Sequence, residues 1–258
     1  MVGVHCLAQI RPMGLGINLQ PHAVREVIEL SLGEELDEVG VPTAELVYVD
    51  QRGRQLYQEP CEWAARLPLA SVLGAPGPLA DGAGWKRPGR LSDPLPHIQG
   101  WRVRGLELAR LVARSPQIPE HPMADRDPLD RWGNSRVTLL GDAAHPMYPV
   151  GANGASQTVV DGRVLACELA TGDLGEALRR YETARGDAAR GAVLAAREMD
   201  CAEREVRQSV LTRSDPCGDD FRQIYGDIAS AYRSRTGNDV AALNARPSLT
   251  PPQRRCPR

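Results

Sequence analysis

The residues best equipped for chemistry lie between Gly141 and Ala155, in the run GDAAHPMYPVGANGA. Asp142 follows a short apolar stretch, Arg-Val-Thr-Leu-Leu over residues 136–140. A carboxylate at a strand end can accept hydrogen bonds from a chain of sugar-like hydroxyls. Pro146, Pro149, Gly151 and Gly154 then constrain the loop. From Asn153 onward Ala155, Val159, Val160, Gly162, Val164, Leu165 and Leu169 follow helical spacing. A glycine-bearing helix start, here Gly151, Ala152, Asn153, Gly154 and Ala155, lets bare backbone N–H groups approach the edge of a ring. The positive end of the helix would favour negative charge there by roughly 0.3–2 kcal/mol. The same unit of strand, acidic turn, Pro/Gly loop and helix can equally be a plain crossover whose Gly and Pro only shape the chain.

Other reactive side chains make weaker sets. His145 and Asp142 stand three apart in a turn, with no third metal ligand in view. Ser156 lacks the G-x-S-x-G setting of a hydrolase nucleophile. His5, His22 and His97 are isolated, which fits structural or exposed positions. Glu198, Glu203 and Glu205 with Arg197, Arg204 and Arg207 read as a solvated helix face. Trp63, Trp85, Trp101 and Trp132 suit packing better than stacking on a substrate.

The elements that must position these residues fall into five segments. Residues 1–60 alternate helix and strand signals: Pro21 suits a first helical turn, Val24, Val27, Ile28 and Leu32 keep helical spacing, and Gly33 offers a stop. Residues 44–49 read as a strand, residues 50–53 as a hairpin turn and residues 55–57 as the returning strand. Residues 61–84, rich in Pro, Gly and Ala, read as a linker or a join left by a deletion. Residues 85–135 carry many prolines and one short helical pattern at Leu106, Ala109, Leu111 and Val112. Residues 136–205 hold a buried strand, the loop and a long helix, then a second helical stretch. Residues 206–258 end in a tail expected to be disordered.

Composition excludes several classes. A formal net charge of -2 leaves no basic excess for nucleic acid. The six cysteines contain no CxxC pair, so neither a zinc site nor a disulfide framework is indicated. No apolar run reaches the ~20 residues needed to span a bilayer. The first ten residues lack a basic region before Arg11 and Pro12 close the apolar stretch, which is not a secretory signal. A cytoplasmic protein is the expectation.

The run GDAAHPMYPVGANGAS resembles the second flavin fingerprint of the class A FAD-dependent aromatic monooxygenases, the para-hydroxybenzoate hydroxylase group, and within it the phenazine- and salicylate-hydroxylase-like branch. Three other stretches are similar to the same branch: IRPMGLGINLQP over residues 10–21, HPMADRDPL over 121–129, and ALRRYETAR over 177–185. The resemblance covers residues 10–60 and 85–205. It implies an α/β fold, an incomplete Rossmann-like FAD-binding fold of glutathione-reductase type, with a C-terminal helical region and a remnant of the substrate domain. It also implies FAD as cofactor, NAD(P)H as co-substrate, dioxygen, and a small aromatic substrate hydroxylated on its ring. Gly141 and Asp142 would then contact the ribityl chain and pyrophosphate. Pro149 to Ala155 would lie over the isoalloxazine, and Arg11 would reach the phosphates. The Pro149 carbonyl and Tyr148 would stand nearest the reacting ring, with no conventional acid or base required.

Departures from the family pattern set a competing expectation. Family members begin with a strand and a GxGxxG turn; Gly14-Leu-Gly-Ile-Asn-Leu19 has two of those glycines and Leu19 in place of the third. His5 stands where an acidic ribose-binding residue is expected, His121 where an aromatic is expected, and the middle DG fingerprint is missing. The chain is therefore expected to be truncated at the start and in the middle, and to hold FAD weakly. An inactive remnant or interaction protein on the flavin-fold core is the alternative reading. A different flavin oxidoreductase of the superfamily, such as a halogenase or dehydrogenase, is another.

Overall fold

A computed structural model describes residues 17–41, 44–60, 87–115, 118–120 and 124–212, together with Gly226, Ser230, Tyr232 and Thr236. Sequence expectations that fall outside those residues include Arg11, His5, His121, Trp63, Trp85, the join over 61–84, and the tail after 246.

Helix α1 (Pro21–Glu29) begins where Pro21 supplies a pre-set φ and has no N–H to leave unpaired. It buries His22, Ala23 and Glu26. The expected stop at Gly33 is not used. The chain reverses earlier, at Ser31, whose φ of 61° ends the helix, and Gly33 instead opens α2 (Gly33–Val39). The hairpin is as expected: β1 (Glu45–Val49) pairs antiparallel with β2 (Gln55–Pro60). Its turn is fastened by the Asp50 carboxylate, which accepts from the Arg52 and Arg54 amides. The following region is thinly structured. It holds β3 (Arg87–Pro88), α3 (Leu95–Ile98), β4 (Arg102–Val103), β5 (Leu106–Glu107), α4 (Leu108–Ala113) and β6 (Pro119–Glu120). The pairs β3–β6 and β4–β5 are two-residue antiparallel ribbons.

The expected buried strand over residues 136–140 is not formed. Asn134 and Val137 make one isolated antiparallel bridge, Val137 is 66% exposed, and the stretch reaches Leu140 extended (φ -145°, ψ 144°) but without a ladder. A β-rich run becomes a strand only when neighbours complete its hydrogen bonds. The three sheets among the described residues are two-stranded and antiparallel, and none offers it an edge.

Beyond it the expectation holds: a 3-10 turn (Gly141–Ala143), a loop, then α5 (Gly154–Leu169) and α6 (Leu174–Thr212). Helices α1, α5 and α6 pack together. On α6 the buried face is built of small side chains, Ala189, Ala192 and Ala196 with Val193, so neighbours approach closely. Met147 and Val150 of the loop and Leu56 of the hairpin fill one side of that face. Trp132 and Tyr181 fill the other, with ring centroids 5.7 Å apart. Among the described residues no helix is long and apolar enough to cross a membrane.

Candidate functional site

The site grows from the turn after Leu140. Asp142 is exposed on it, and among the described residues no hydrogen bond or ion pair engages its carboxylate. One carboxylate oxygen lies 3.9 Å from where a Cβ would stand on Gly154, the first residue of α5. An acceptor and a helix N-terminus therefore share one surface.

That N-terminus is uncapped. Asn153 precedes it, yet its side chain makes no capping bond and is fully buried. Its Nδ2 donates to the Tyr232 hydroxyl (3.1 Å), while its Oδ1 accepts from Gln157 Nε2 (3.3 Å). The first amides of α5 are left to the surface, where an anion or polar ring edge would gain from them.

The loop leading there is set by a tight turn. The Ala152 amide donates to the Pro149 carbonyl (3.1 Å), with Gly151 at φ 75° and Ala152 at φ 53°. Only glycine fits at 151, because an added Cβ would stand 2.2 Å from the Tyr232 hydroxyl. That hydroxyl donates to the Val150 carbonyl (3.1 Å) and closes the loop from behind. Gln20 fastens the same loop, its side chain donating to the Gly151 carbonyl (3.0 Å) and its amide to Ser156 Oγ (2.9 Å).

Beneath the turn lies a buried polar cluster that sequence reading missed. The Asp161 carboxylate accepts from the Gly141 amide (3.0 Å), from His145 Nε2 (2.6 Å) and from Arg185 Nε (2.7 Å). Arg185 also donates to Gln157 Oε1 (2.6 Å). Burial pushes the Asp161 carboxyl up, but the His145 hydrogen bond and the Arg185 charge outweigh it and hold the group below the ordinary carboxylate value. Burial pushes the Tyr181 hydroxyl far up; it stays protonated and donates to the Leu139 carbonyl. From outside, Arg126 donates to the carbonyls of Ala143 (2.8 Å) and Ala144 (3.1 Å).

Among the expected site residues, Asp142, Pro149, Gly151, Ala152, Gly154 and Ala155 come together on this surface; Gly141 and Asn153 lie buried beneath it, bound to Asp161 and to Tyr232 and Gln157, and Arg11 lies outside the described residues. His145 pairs with Asp161 and not with Asp142, and it is buried against Trp132, ring centroids 5.5 Å apart. The Pro149 carbonyl is already engaged by Ala152, and Tyr148 packs on the core. On the helix face expected to be solvated, Glu198 is exposed, and the half-buried Arg197 binds Asp125 and Asp127 (2.8 Å to the latter). The missed signal was charge inside an apolar helix: Asp161 and Arg163 in VVDGRVLA break the α5 pattern, and both are buried. Among the described residues no cluster could hold a metal ion.

Comparison with known proteins gives this geometry a family setting. Residues 109–196 match the family described as FAD binding domain. The phenazine 1,6-dicarboxylic acid hydroxylase PhzS of Lysobacter antibioticus is 40% identical over 213 residues, 78% of this chain and 49% of that protein. A 3-amino-4-hydroxybenzoate 2-monooxygenase of Streptomyces platensis is 34% identical over 160 residues, 58% of this chain and 39% of the relative. The chain thus spans about half the length, or less, of these relatives. HpxO of Klebsiella pneumoniae, solved in complex with FAD and uric acid, is 18% identical and covers 83% of this chain and 87% of its own, with a TM-score of 0.55. That likeness is one of fold alone, the α/β fold.

Proposed function

We propose that this chain, a relative of the class A FAD-dependent aromatic monooxygenases, holds the ribityl and ring half of FAD on the surface between Asp142 and the start of α5, for hydroxylation of a small aromatic acid. The observation that carries the reading is the pairing of an exposed, unengaged carboxylate with an uncapped helix N-terminus, on a loop fastened from behind. The donor set fits. Asp142 accepts from hydroxyls; the amides of Gly154 and Ala155 donate to a ring oxygen and favour negative charge at that edge. Gly141 and Gly151 let the turn and the loop seat against Thr158 and Tyr232, which a Cβ at either position would meet at 2.9 Å or less. A bound flavin would supply the oxygen-transfer chemistry, with NAD(P)H and dioxygen as co-substrates, while the chain would bind and orient it.

A phenazine or hydroxybenzoate carboxylate is the substrate class suggested by the relatives' names. We read the fold more finely as an incomplete glutathione-reductase-type Rossmann arrangement, supported by the extended approach to Leu140, the acidic turn and α5.

Titrating the full chain with FAD, followed by flavin fluorescence and absorbance, tests the proposal. Saturable binding is expected. Asp142→Ala should weaken it roughly ten- to hundredfold, the loss of one or two charge-assisted hydrogen bonds. NADH or NADPH consumption with a phenazine carboxylate or hydroxybenzoate, with product analysis, then tests the reaction. No saturable binding, or unchanged binding in Asp142→Ala, overturns the reading.

A further inference from the structure

We propose that Asp161 is the positioning residue of the turn spanning residues 141–145: it touches no ligand, and it fixes where Asp142 presents its carboxylate. Its functional meaning rests on the flavin reading above; the clamp itself rests on geometry.

Asp161 is fully buried on α5, and one of its oxygens accepts from both ends of the turn. Gly141, the residue before Asp142, gives its amide, and His145, which closes the turn, gives Nε2. An ionised carboxylate has no proton to offer, so the His145 ring must carry its proton on Nε2. Nδ1 is buried and finds no hydrogen-bond partner. An unsatisfied buried ring nitrogen is costly, so Asp161, rather than anything at Nδ1, dictates the tautomer and the ring's orientation. Arg185 occupies the other Asp161 oxygen, balances its charge, and is itself held by Gln157. With Arg126 holding the Ala143 and Ala144 carbonyls from outside, the turn is gripped on two sides. Its one acidic side chain, Asp142, points free.

A buried ion pair that merely stabilised the core would lose stability and binding together, without regard to Asp142. A positioning residue must act through Asp142, and that difference can be measured. In the full chain without flavin, ring 15N spectra of His145 should show the Nε2–H tautomer, and Asp161→Asn should remove it and speed hydrogen exchange at the Gly141 amide. With FAD, Asp161→Asn should weaken binding roughly ten- to hundredfold, and the double variant with Asp142→Asn should bind no more weakly than Asp142→Asn alone.

Should Asp161→Asn not fold, His145 carries the test. His145→Gln keeps a donor for Asp161 and should stay within about threefold of the parent affinity, while His145→Leu should lose about tenfold, again only where Asp142 is intact. Additive losses with Asp142→Asn, an Nδ1–H tautomer, or an unaffected Gly141 amide would each overturn the clamp. If the parent chain binds no FAD, the proposed function falls, and the ring spectra and amide exchange alone decide the clamp.

Discussion

Two regions of this molecule use the same kinds of ion pair in opposite surroundings. Behind the 141–145 turn, Arg185 meets Asp161 with side chains 7% and 0% exposed, and between α5 and α1 Arg163 meets Glu26 at 9% and 0%. Around the hairpin and the short ribbons, Arg102 meets Glu107 at 69% and 49%, and Arg104 meets Glu45 at 62% and 34%. Water screens the outer pairs, and each holds two long side chains at a cost in entropy. The inner pairs have lost their water and must be satisfied by geometry. A buried charge therefore dictates where its neighbours stand, while an exposed one decorates a backbone already placed. The surface between Asp142 and α5 is built over the first kind of region, which is where a site must be rigid.

Removing the central buried charge gives the largest expected effect. Asp161→Ala leaves Arg185 buried and unpaired and frees both ends of the turn, so denaturant unfolding should show a loss of about 3–5 kcal/mol. The pH dependence follows from the lowered Asp161 carboxyl. A group whose folded value is depressed contributes stability above its unfolded value, 3.8, and that contribution is lost as pH falls through the folded value. Acid unfolding of the parent should therefore steepen below the ordinary carboxylate range, and Asp161→Asn should flatten that limb. Equal slopes in the two proteins would mean that Asp161 is not held ionised by His145 and Arg185, and the contrast between regions would fail at its centre.

The inner region was legible in parts, and for physical reasons. The loop and α5 could be read because glycine, proline and the helical repeat are local signals, and Asp142 stood out beside them. Strand β1 and its hairpin turn were equally local. Residues 136–140 misled because a strand is a property of a sheet: the β-rich composition was present, and among the described residues no partner edge meets it. Gly33 misled because Ser31, a residue that rarely adopts positive φ, had already turned the chain. Asp161 and Arg185 stand 24 residues apart on separate helices. Nothing in their spacing joins them until α5 packs against α6. Tyr232 is farther still from the glycine it covers, so the need for glycine at 151 was visible and its cause was not.

Two glycines sharpen the comparison at smaller magnitude. Gly151 and Gly105 both have positive φ, 75° and 85°. At Gly105, between β4 and β5, an added Cβ meets nothing within 4 Å, so Gly105→Ala should cost only the backbone strain, about 1–2 kcal/mol. At Gly151 the Cβ meets the Tyr232 ring at 2.2–2.6 Å, so Gly151→Ala adds a forced movement of a buried aromatic, for about 2–4 kcal/mol in all. Thermal unfolding of both variants checks the difference. FAD titration should register only Gly151→Ala, because that loop leads into α5. Equal costs for the two would mean that Tyr232 yields readily and does not brace the loop.

The smallest effect is expected at an exposed ion pair. Arg102 and Glu107 face each other across β4–β5 at 2.9 Å, a good hydrogen-bonding distance. Distance is not strength here. The charges are open to solvent, β4 and β5 pair through their backbones over only two residues each, and Arg102 already receives backbone support, its amide donating to the Gln51 carbonyl (3.2 Å). Arg102→Ala should therefore shift stability by less than about 0.5 kcal/mol, and the Arg102–Glu107 double-mutant cycle should give a coupling of about the same size, shrinking further in salt. FAD binding should not change. A coupling above about 1.5 kcal/mol would mean that the ribbon is held by its side chains and not by its backbone. The outer layer would then be, like the turn over Asp161, a place where charge dictates geometry.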